Sequence, residues 1–103
     1  MAEVKFSIGQ IIHHKLFNYR GVIIDVDYKF LGDDNWYDAM ARSLPPKEQP
    51  WYHVLVHSGT HQTYVAERNL MLSSNHDPIN HPFIEHYFAA LKKGCYQRKT
   101  RIN

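Results

Sequence analysis

Residues 21–28 carry the sequence Gly-Val-Ile-Ile-Asp-Val-Asp-Tyr, and this stretch decides the fold class. Every second side chain of a β-strand lies on the same face, so an alternating pattern predicts a strand. One face here would carry Val22, Ile24, Val26 and Tyr28, and the other Ile23, Asp25 and Asp27. The pattern therefore predicts a half-buried strand whose acidic side chains face solvent.

Three further segments also suggest strands. Residues 51–57, Trp-Tyr-His-Val-Leu-Val-His, alternate clearly, and residues 8–17 do so more weakly. A short hairpin connection follows at 57–61, where Gly59 is expected to supply the unusual backbone angle, and residues 62–66 form the return strand. Four or five short strands predict a mainly β fold, a small SH3-like antiparallel β-barrel over about residues 5–72.

Two segments depart from the alternating pattern. Residues 36–44 have the spacing of one or two helical turns, which Pro45 and Pro46 would end. Apolar side chains at 83, 84, 87, 88 and 91 also have helical spacing, and Gly94 is suitable just past a helix end. We therefore expect a short C-terminal helix and a basic tail over about residues 80–103, with the part from Cys95 onward extended or loose, all within one domain spanning residues 1–103.

The composition excludes several classes of protein. The chain has 103 residues, which is too short for a two-domain nucleotide-dependent enzyme. Its single cysteine, Cys95, excludes an intrachain disulfide and a zinc site built from cysteines. Because no apolar run has the length of a signal peptide or a membrane span, we expect a cytoplasmic protein without a membrane partner.

Charge is unevenly distributed along the chain. The residues before Lys92 hold seven of the twelve Lys and Arg side chains and all ten Asp and Glu side chains, a net charge of −3. From Lys92 onward five basic residues and no acidic residue give +5. Such a terminus is able to contact phosphates or an acidic protein surface, or it is simply solvated.

The sequence offers no pattern typical of catalysis or metal binding. His53 and His57 share a strand face but lie about 13 Å apart, too far to hold one ion. Asp25 and Asp27, about 6.6 Å apart, have a separation suited to paired acid and base work, but acids on a wet strand face usually serve solubility. With no activated nucleophile nearby, we expect no enzyme activity, no metal and no cofactor.

Aromatic and basic side chains are the candidate binding residues for protein or DNA. The aromatic candidates are Trp36, Trp51, His53 and Tyr64, of which Trp51 is equally well suited to the core. The basic candidates for phosphate contacts are Lys15, Arg20, Arg68, Lys92, Lys93, Arg98, Lys99 and Arg101. Each basic residue taken alone is also compatible with a solvated surface position.

Four blocks in order resemble the HspQ/YccV family of heat-shock or hemimethylated-DNA-binding proteins. They are Lys-Phe-Ser-Ile-Gly-Gln at 5–10, Tyr-Arg-Gly-Val-Ile-Ile-Asp-Val-Asp at 19–27, Gln-Pro-Trp-Tyr-His-Val-Leu-Val at 49–56 and Thr-Tyr-Val-Ala-Glu-Arg-Asn-Leu at 63–70. The resemblance covers roughly residues 5–72. Residues 81–94 also resemble the C-terminal extension of related domains fused to F-box and chloroplast protease-adaptor proteins.

The resemblance implies an SH3-like barrel without catalytic activity and with two associated roles. One role is a specificity factor for a Lon-type ATP-dependent protease, which promotes degradation of selected or denatured proteins under stress. The other is recognition of hemimethylated DNA. Because the body is acidic and no recognition helix is evident, physical reasoning favours the protease role, with DNA binding as the alternative. Exposed edge strands also make a homo-oligomer compatible with the sequence.

Overall fold

A computed structural model describes residues 3–40 and 44–99 of the chain. The strands are β1 (Ile11–His14), β2 (Arg20–Asp27), β3 (Trp51–Val56), β4 (Gln62–Ala66), β5 (Leu70–Leu72), β6 (Phe88–Lys92) and β7 (Cys95–Arg98). The helices are α1 (Asp34–Met40) and α2 (Ile84–Tyr87), and a 3-10 turn lies at Glu67–Asn69. No helix within the described ranges has the length and apolar character needed to cross a membrane.

The first five strands form one antiparallel sheet in the order β4-β3-β2-β1-β5. This confirms the mainly β, antiparallel class. Strand pairing does not close the sheet, since β4 and β5 form its two edges, so the predicted SH3-like barrel is not confirmed. The 3-10 turn at Glu67–Asn69 redirects the chain between these two edges, and β5 then pairs with β1 instead of β4.

A β-bulge in β2 changes which side chains share a face. Ile23 lies opposite Val54, but the next paired residue, Asp25, lies opposite His53, so one residue of β2 is extra. As a result Val26 packs on the same hydrophobic cluster as Ile23. The prediction that residues 22, 24, 26 and 28 share one face is therefore wrong. Period-two counting assumes regular pairing and does not detect an inserted residue.

Both faces of the sheet are covered, and β3 is buried on both. The first cluster holds Phe6, Ile12, Ile23, Tyr52, Val54, Val65 and Leu70. The second holds Ile11, Val22, Leu55, Ile79, Phe88 and Tyr96. The second cluster joins β1, β2 and β3 to β6 and β7, which means that the C-terminal segment forms part of the main core.

The predicted C-terminal helix is replaced by one helical turn and a β-hairpin. Helix α2 ends at Tyr87, and β6 and β7 pair as a two-stranded antiparallel sheet. Between them Lys93 and Gly94 both have positive φ, +53° and +76°, as in the two-residue turns that join twisted strands. Gly94 is thus part of a hairpin turn and caps no helix. Residues 95–98 form a paired strand, in agreement with the extended alternative expected there and not with the loose one, and Arg101 lies outside the described residues.

Two local predictions in the first part of the chain also change. Helix α1 begins at Asp34, earlier than the predicted residue 36, because the Asp33 carboxylate accepts hydrogen bonds from the backbone N–H groups of Asn35 (2.6 Å) and Trp36 (3.3 Å). Residues 41–43 lie outside the described part. In the 57–61 connection the positive φ, +62°, belongs to Ser58 and not to Gly59. The Ser58 N–H donates to the carbonyl of Asn80, which ties this turn to the segment before α2.

Candidate functional site

Five aromatic rings pack together where α1 meets the start of β3. Trp51 is 1% exposed, and its Nε1–H donates to the carbonyl of Pro46 at 3.1 Å. Around it pack Phe30, Trp36, Tyr37 and Tyr64, with ring centroids 5.0 to 6.2 Å from that of Trp51. Trp51 therefore acts as the buried centre of this cluster, while the half-buried Trp36 and Tyr64 form its outer part.

Asp27 joins two of the predicted binding residues. Its Oδ2 accepts a 2.6 Å hydrogen bond from the Tyr64 hydroxyl and lies 3.2 Å from Nε2 of His53. Burial and the bond to Asp27 both raise the pKa of the Tyr64 hydroxyl, so it remains a donor at neutral pH. The Asp27 side chain is only 18% exposed, so the sequence-based prediction of a solvent-facing acid is wrong for this residue. The alternating pattern did not reveal the partners of Asp27 on the neighbouring strands, because the bulge in β2 determines which side chains lie beside it.

An apolar groove of about 460 Å³ runs along β4. We call it the β4 groove. The turn between β1 and β2 lines it with Leu16 and Phe17, and α1 lines it with Trp36 and Met40. Of the predicted aromatic candidates, all four line this groove: Trp36, Trp51, His53 and Tyr64. The structure therefore brings the aromatic candidates together in one place.

His14 holds the turn that forms one wall of the groove. Its ring is buried, and Nδ1 accepts hydrogen bonds from the backbone N–H groups of Leu16 (3.1 Å) and Phe17 (3.0 Å). The ring also packs between the side chains of Phe17 and Tyr19. Burial, with a smaller effect from His13, lowers the pKa of His14. The exposed side chains of Leu16 and Phe17 are thus positioned by a neutral imidazole.

Three of the basic candidates, Arg20, Arg68 and Lys15, lie outside the C-terminal hairpin. Arg20 donates to the backbone carbonyls of Asn75 and Asp77, so its guanidinium fastens residues 73–81 to β2. Arg68 is exposed and already engaged in an interaction, and Lys15 is exposed beside the β1–β2 turn. An added Cβ on Gly94 of the hairpin would lie 2.8 Å from the His76 ring, so Arg20 is held beside the hairpin turn. Lys15 lies elsewhere, where its N–H donates to the carbonyl of Asn69.

The other described basic candidates lie on the β6–β7 hairpin. Phe88 and Tyr96 are buried against the sheet with ring centroids 5.1 Å apart, and the Tyr96 N–H donates to the carbonyl of Gly9. Lys92 and Lys93 are exposed at the tip of the hairpin, whereas Arg98 and Lys99 are exposed at its other end. Residues 88–99 contain no acidic side chain. The hairpin is therefore a fixed, basic β-ribbon.

Within residues 3–40 and 44–99, no three His, Cys, Asp or Glu side chains lie close enough to hold a metal ion together. Fold and site together define a small antiparallel β protein with an aromatic groove on one sheet edge and a basic hairpin packed on one face. The chain belongs to the YccV-like family, since the family model described as "Hemimethylated DNA-binding protein YccV like" matches residues 4–95. This confirms the resemblance found in the sequence and extends it beyond residue 72 into the hairpin.

Proposed function

We propose that this protein is a non-catalytic, cytoplasmic DNA-binding protein that contacts duplex DNA through the β6–β7 hairpin. The observation that carries the proposal is the fixed basic ribbon, with four described cations and no acid between residues 88 and 99. The major groove of B-DNA admits either an α-helix or a two-stranded β-ribbon. A recognition helix is therefore unnecessary, which removes one of the two physical objections to the DNA-binding alternative, while the acidic body before Lys92 remains the other.

The charge arrangement on the hairpin supports phosphate contacts at both of its ends. At about 3.3 Å per residue, β7 places its Cys95 end and its Arg98 end about 10 Å apart. Lys92 and Lys93 lie at the tip, and Arg98 and Lys99 lie at the opposite end, so two pairs of cations flank the ribbon. Basic side chains in such positions orient a protein on DNA without reading its sequence.

The name of the family supports a particular ligand, DNA methylated on one strand. Methyl groups on adenine N6 or on pyrimidine C5 project into the major groove, where a ribbon reads base edges. Between the two basic ends the exposed side chains of the hairpin are small or polar, Ala89, Ala90 and Gln97. Small and amide side chains are suited to contact with a methyl group and with a base edge respectively.

Fluorescence anisotropy with matched unmethylated, hemimethylated and fully methylated duplexes tests the proposal. We expect tighter binding to the hemimethylated duplex, with the preference retained between about 50 and 200 mM salt, where phosphate contacts weaken most. The variant Gln97→Ala should reduce the preference while overall affinity falls little. Equal affinity for all three duplexes would reject methyl recognition, and no binding at low salt would reject DNA binding altogether.

The β4 groove favours a second candidate function, a specificity factor for a Lon-type ATP-dependent protease. An exposed apolar groove is suited to peptide segments, which are the form in which denatured proteins present themselves. The expected result is faster proteolysis of a denatured model substrate by the protease when the protein is added. The variant Met40→Asp, at an exposed groove position, should remove this stimulation. No stimulation by the parent chain would reject the role, and equal stimulation by Met40→Asp would show that the groove does not carry it.

A further inference from the structure

Strand β4 is an open edge of the sheet, and the pairing register shows which of its backbone groups face outward. The carbonyl of His61 accepts from the Val56 N–H, and the Glu67 N–H donates to the carbonyl of Pro50. Hydrogen-bonded positions alternate in an antiparallel pair, so the backbone N–H and C=O groups of residues 61, 63, 65 and 67 point toward β3. The backbone groups of Gln62 and Tyr64 therefore point away from the sheet. No described residue hydrogen-bonds to them through its backbone.

Within the part of the chain that the structure describes, this edge lacks the usual protection against pairing with another strand. Proteins block edge strands with Lys, Pro, bulges or a very short length. Strand β4 reads Gln-Thr-Tyr-Val-Ala, pairs with β3 without a bulge and contains neither charge nor proline. The opposite edge, β5, has only three residues. Of the two edges, β4 is thus the one that presents a template for a further strand.

The β4 groove surrounds this edge from both sides of the sheet. On one side the Tyr19 hydroxyl is hydrogen-bonded to Oγ1 of Thr63 at 2.6 Å. On the other side the Trp36 ring lies 5.8 Å from that of Tyr64. Thr63 and Tyr64 point to opposite faces, and both line the groove. The backbone edge of β4 therefore forms the floor of the groove. One apolar wall, with Leu16 and Phe17, lies on one side of the sheet, and the other, with Trp36 and Met40, lies on the opposite side.

We propose that the β4 groove binds an extended, uncharged, apolar peptide segment that adds to β4 as a sixth antiparallel or parallel strand. The outward N–H and C=O groups of β4 match the hydrogen-bonding pattern of an extended backbone. The described lining residues include no Asp, Glu, Lys or Arg, so the chemistry of the groove matches apolar side chains. Alternate side chains of the peptide would contact the Leu16–Phe17 wall and the Trp36–Met40 wall. The site is separate from the hairpin, and it gives the second candidate function a mode of recognition.

Backbone methylation of a peptide tests this mode directly. The probe is a fluorescein-labelled octapeptide with apolar side chains on both faces, Ser-Val-Leu-Thr-Phe-Ala-Ser-Gly, measured by fluorescence polarisation with the full chain. In an added strand, every second residue directs its N–H toward β4. Methylating the backbone nitrogens of those residues removes the N–H groups that face β4, whereas methylating the nitrogens of the intervening residues leaves them intact. We expect one set to lose at least tenfold in affinity and the other to bind like the parent. Equal binding by both sets, or no binding by the parent peptide, would overturn strand addition.

A substitution in the edge itself gives a second test. Gln62→Pro removes an outward N–H and leaves the β3 ladder intact, since proline is tolerated in edge strands where the N–H faces solvent. We expect at least a tenfold loss of peptide affinity, with Gln62→Ala as a matched control that retains binding. If the circular dichroism spectrum shows that Gln62→Pro does not fold, Gln62→Lys is used in its place. It puts a charge at the same edge and is expected to weaken peptide binding by a similar factor.

Two further readouts separate this proposal from its alternatives. The DNA affinity of Gln62→Pro should equal that of the parent chain. The peptide-binding proposal and the DNA-binding proposal can therefore each be rejected without affecting the other. Sedimentation of the parent chain reports self-association. A dimer that dissociates on Gln62→Pro and excludes the peptide would show that a second copy occupies β4, and would overturn the peptide proposal.

Discussion

The Nδ1 atom of His14 accepts a 3.0 Å hydrogen bond from the backbone N–H of Phe17, and this contact is available only while that nitrogen carries no proton. The same atom accepts from Leu16 at 3.1 Å. One imidazole thus fixes the turn that forms a wall of the β4 groove. Burial lowers the pKa of this ring, so the fold keeps it in the neutral form that the turn requires.

Acid should therefore destabilise the protein through His14. The folded-state pKa lies below the ordinary value of 6.5, so the unfolded chain binds the proton more readily. The stabilisation is present above about pH 6.5 and is lost as the pH falls through the folded-state pKa, with a slope of at most about 1.4 kcal/mol per pH unit from this group. Urea unfolding at a series of pH values between neutral and mildly acidic conditions measures the loss.

The variant His14→Gln isolates this contribution from those of the other seven histidines. Its amide oxygen is able to accept a backbone hydrogen bond but does not titrate. We expect a flatter dependence of the free energy of unfolding on pH below about 6.5 than in the parent chain. Parallel curves for the two proteins would contradict the role assigned to His14.

The Tyr64–Asp27 hydrogen bond should contribute measurably to stability. Tyr64→Phe retains the ring in the aromatic cluster but removes the donor, leaving a partly buried carboxylate with one partner fewer. Hydrogen bonds to charged groups are worth about 1.5–3 kcal/mol, and partial exposure places this one near the lower end. Chemical denaturation of Tyr64→Phe, Asp27→Asn and the double variant gives the coupling energy. Additive effects would mean that the two groups do not interact.

Strands were the part of the fold best predicted from the sequence. Residues 51–57 and 62–66 were expected as a hairpin, and they form β3 and β4. Their signal is local, since alternating side chains and a short turn need no knowledge of distant residues. The bulge in β2 and the open edge between β4 and β5 depend on pairing with other strands, which a single sequence does not display.

The C-terminal hairpin shows why local spacing failed. Phe88 and Leu91 have helical spacing, but they also pack together with Tyr96 on the second face of the sheet, where Leu91 is the strand partner of Tyr96 and Phe88 that of Arg98. The spacing is compatible with a helix and with a β-hairpin, and tertiary packing selects the hairpin. The same limit applied to the site. The aromatic candidates were identified from residue type, whereas Asp27 and His14 gain their roles from neighbours that are distant in sequence or from burial.

Trp36 and Trp51 should respond differently to truncation. Trp51→Ala removes the buried centre of the aromatic cluster and should cost about 3–5 kcal/mol in the free energy of unfolding. Trp36 is half-buried on the outside of the cluster, so Trp36→Ala should cost clearly less while reducing affinity for the octapeptide probe. Thermal or urea denaturation and fluorescence polarisation measure the two effects. Equal destabilisation by both substitutions would place Trp36 in the core.

The hairpin tip should determine part of the salt dependence of DNA binding. Each phosphate contact adds about 0.9 to the slope of log affinity against log salt, so Lys92→Gln with Lys93→Gln should lower the slope by about 2 if both contact phosphates. Lys15→Gln with Arg68→Gln is the matched control, because Lys15 hydrogen-bonds to Asn69, the neighbour of Arg68, whereas the hairpin joins the sheet at Gly9 and Gln10. Anisotropy titrations over a salt series give the slopes. A larger reduction in the control pair would move the DNA interface to the sheet.

Gly94 should be required for the hairpin that carries these cations. Its φ is +76°, which side-chain-bearing residues adopt with strain, and an added Cβ would lie 2.8 Å from the ring of His76. We expect Gly94→Ala to destabilise the protein by about 1–2 kcal/mol and to weaken DNA binding, because the turn positions Lys92 and Lys93. Lys93→Asn is the control for backbone strain, since asparagine tolerates positive φ, and it should leave stability nearly unchanged. Urea denaturation of both variants measures the difference. Equal stability of Gly94→Ala and the parent chain would mean that residues 93 and 94 do not form the turn described, and the basic ribbon would lose its structural basis.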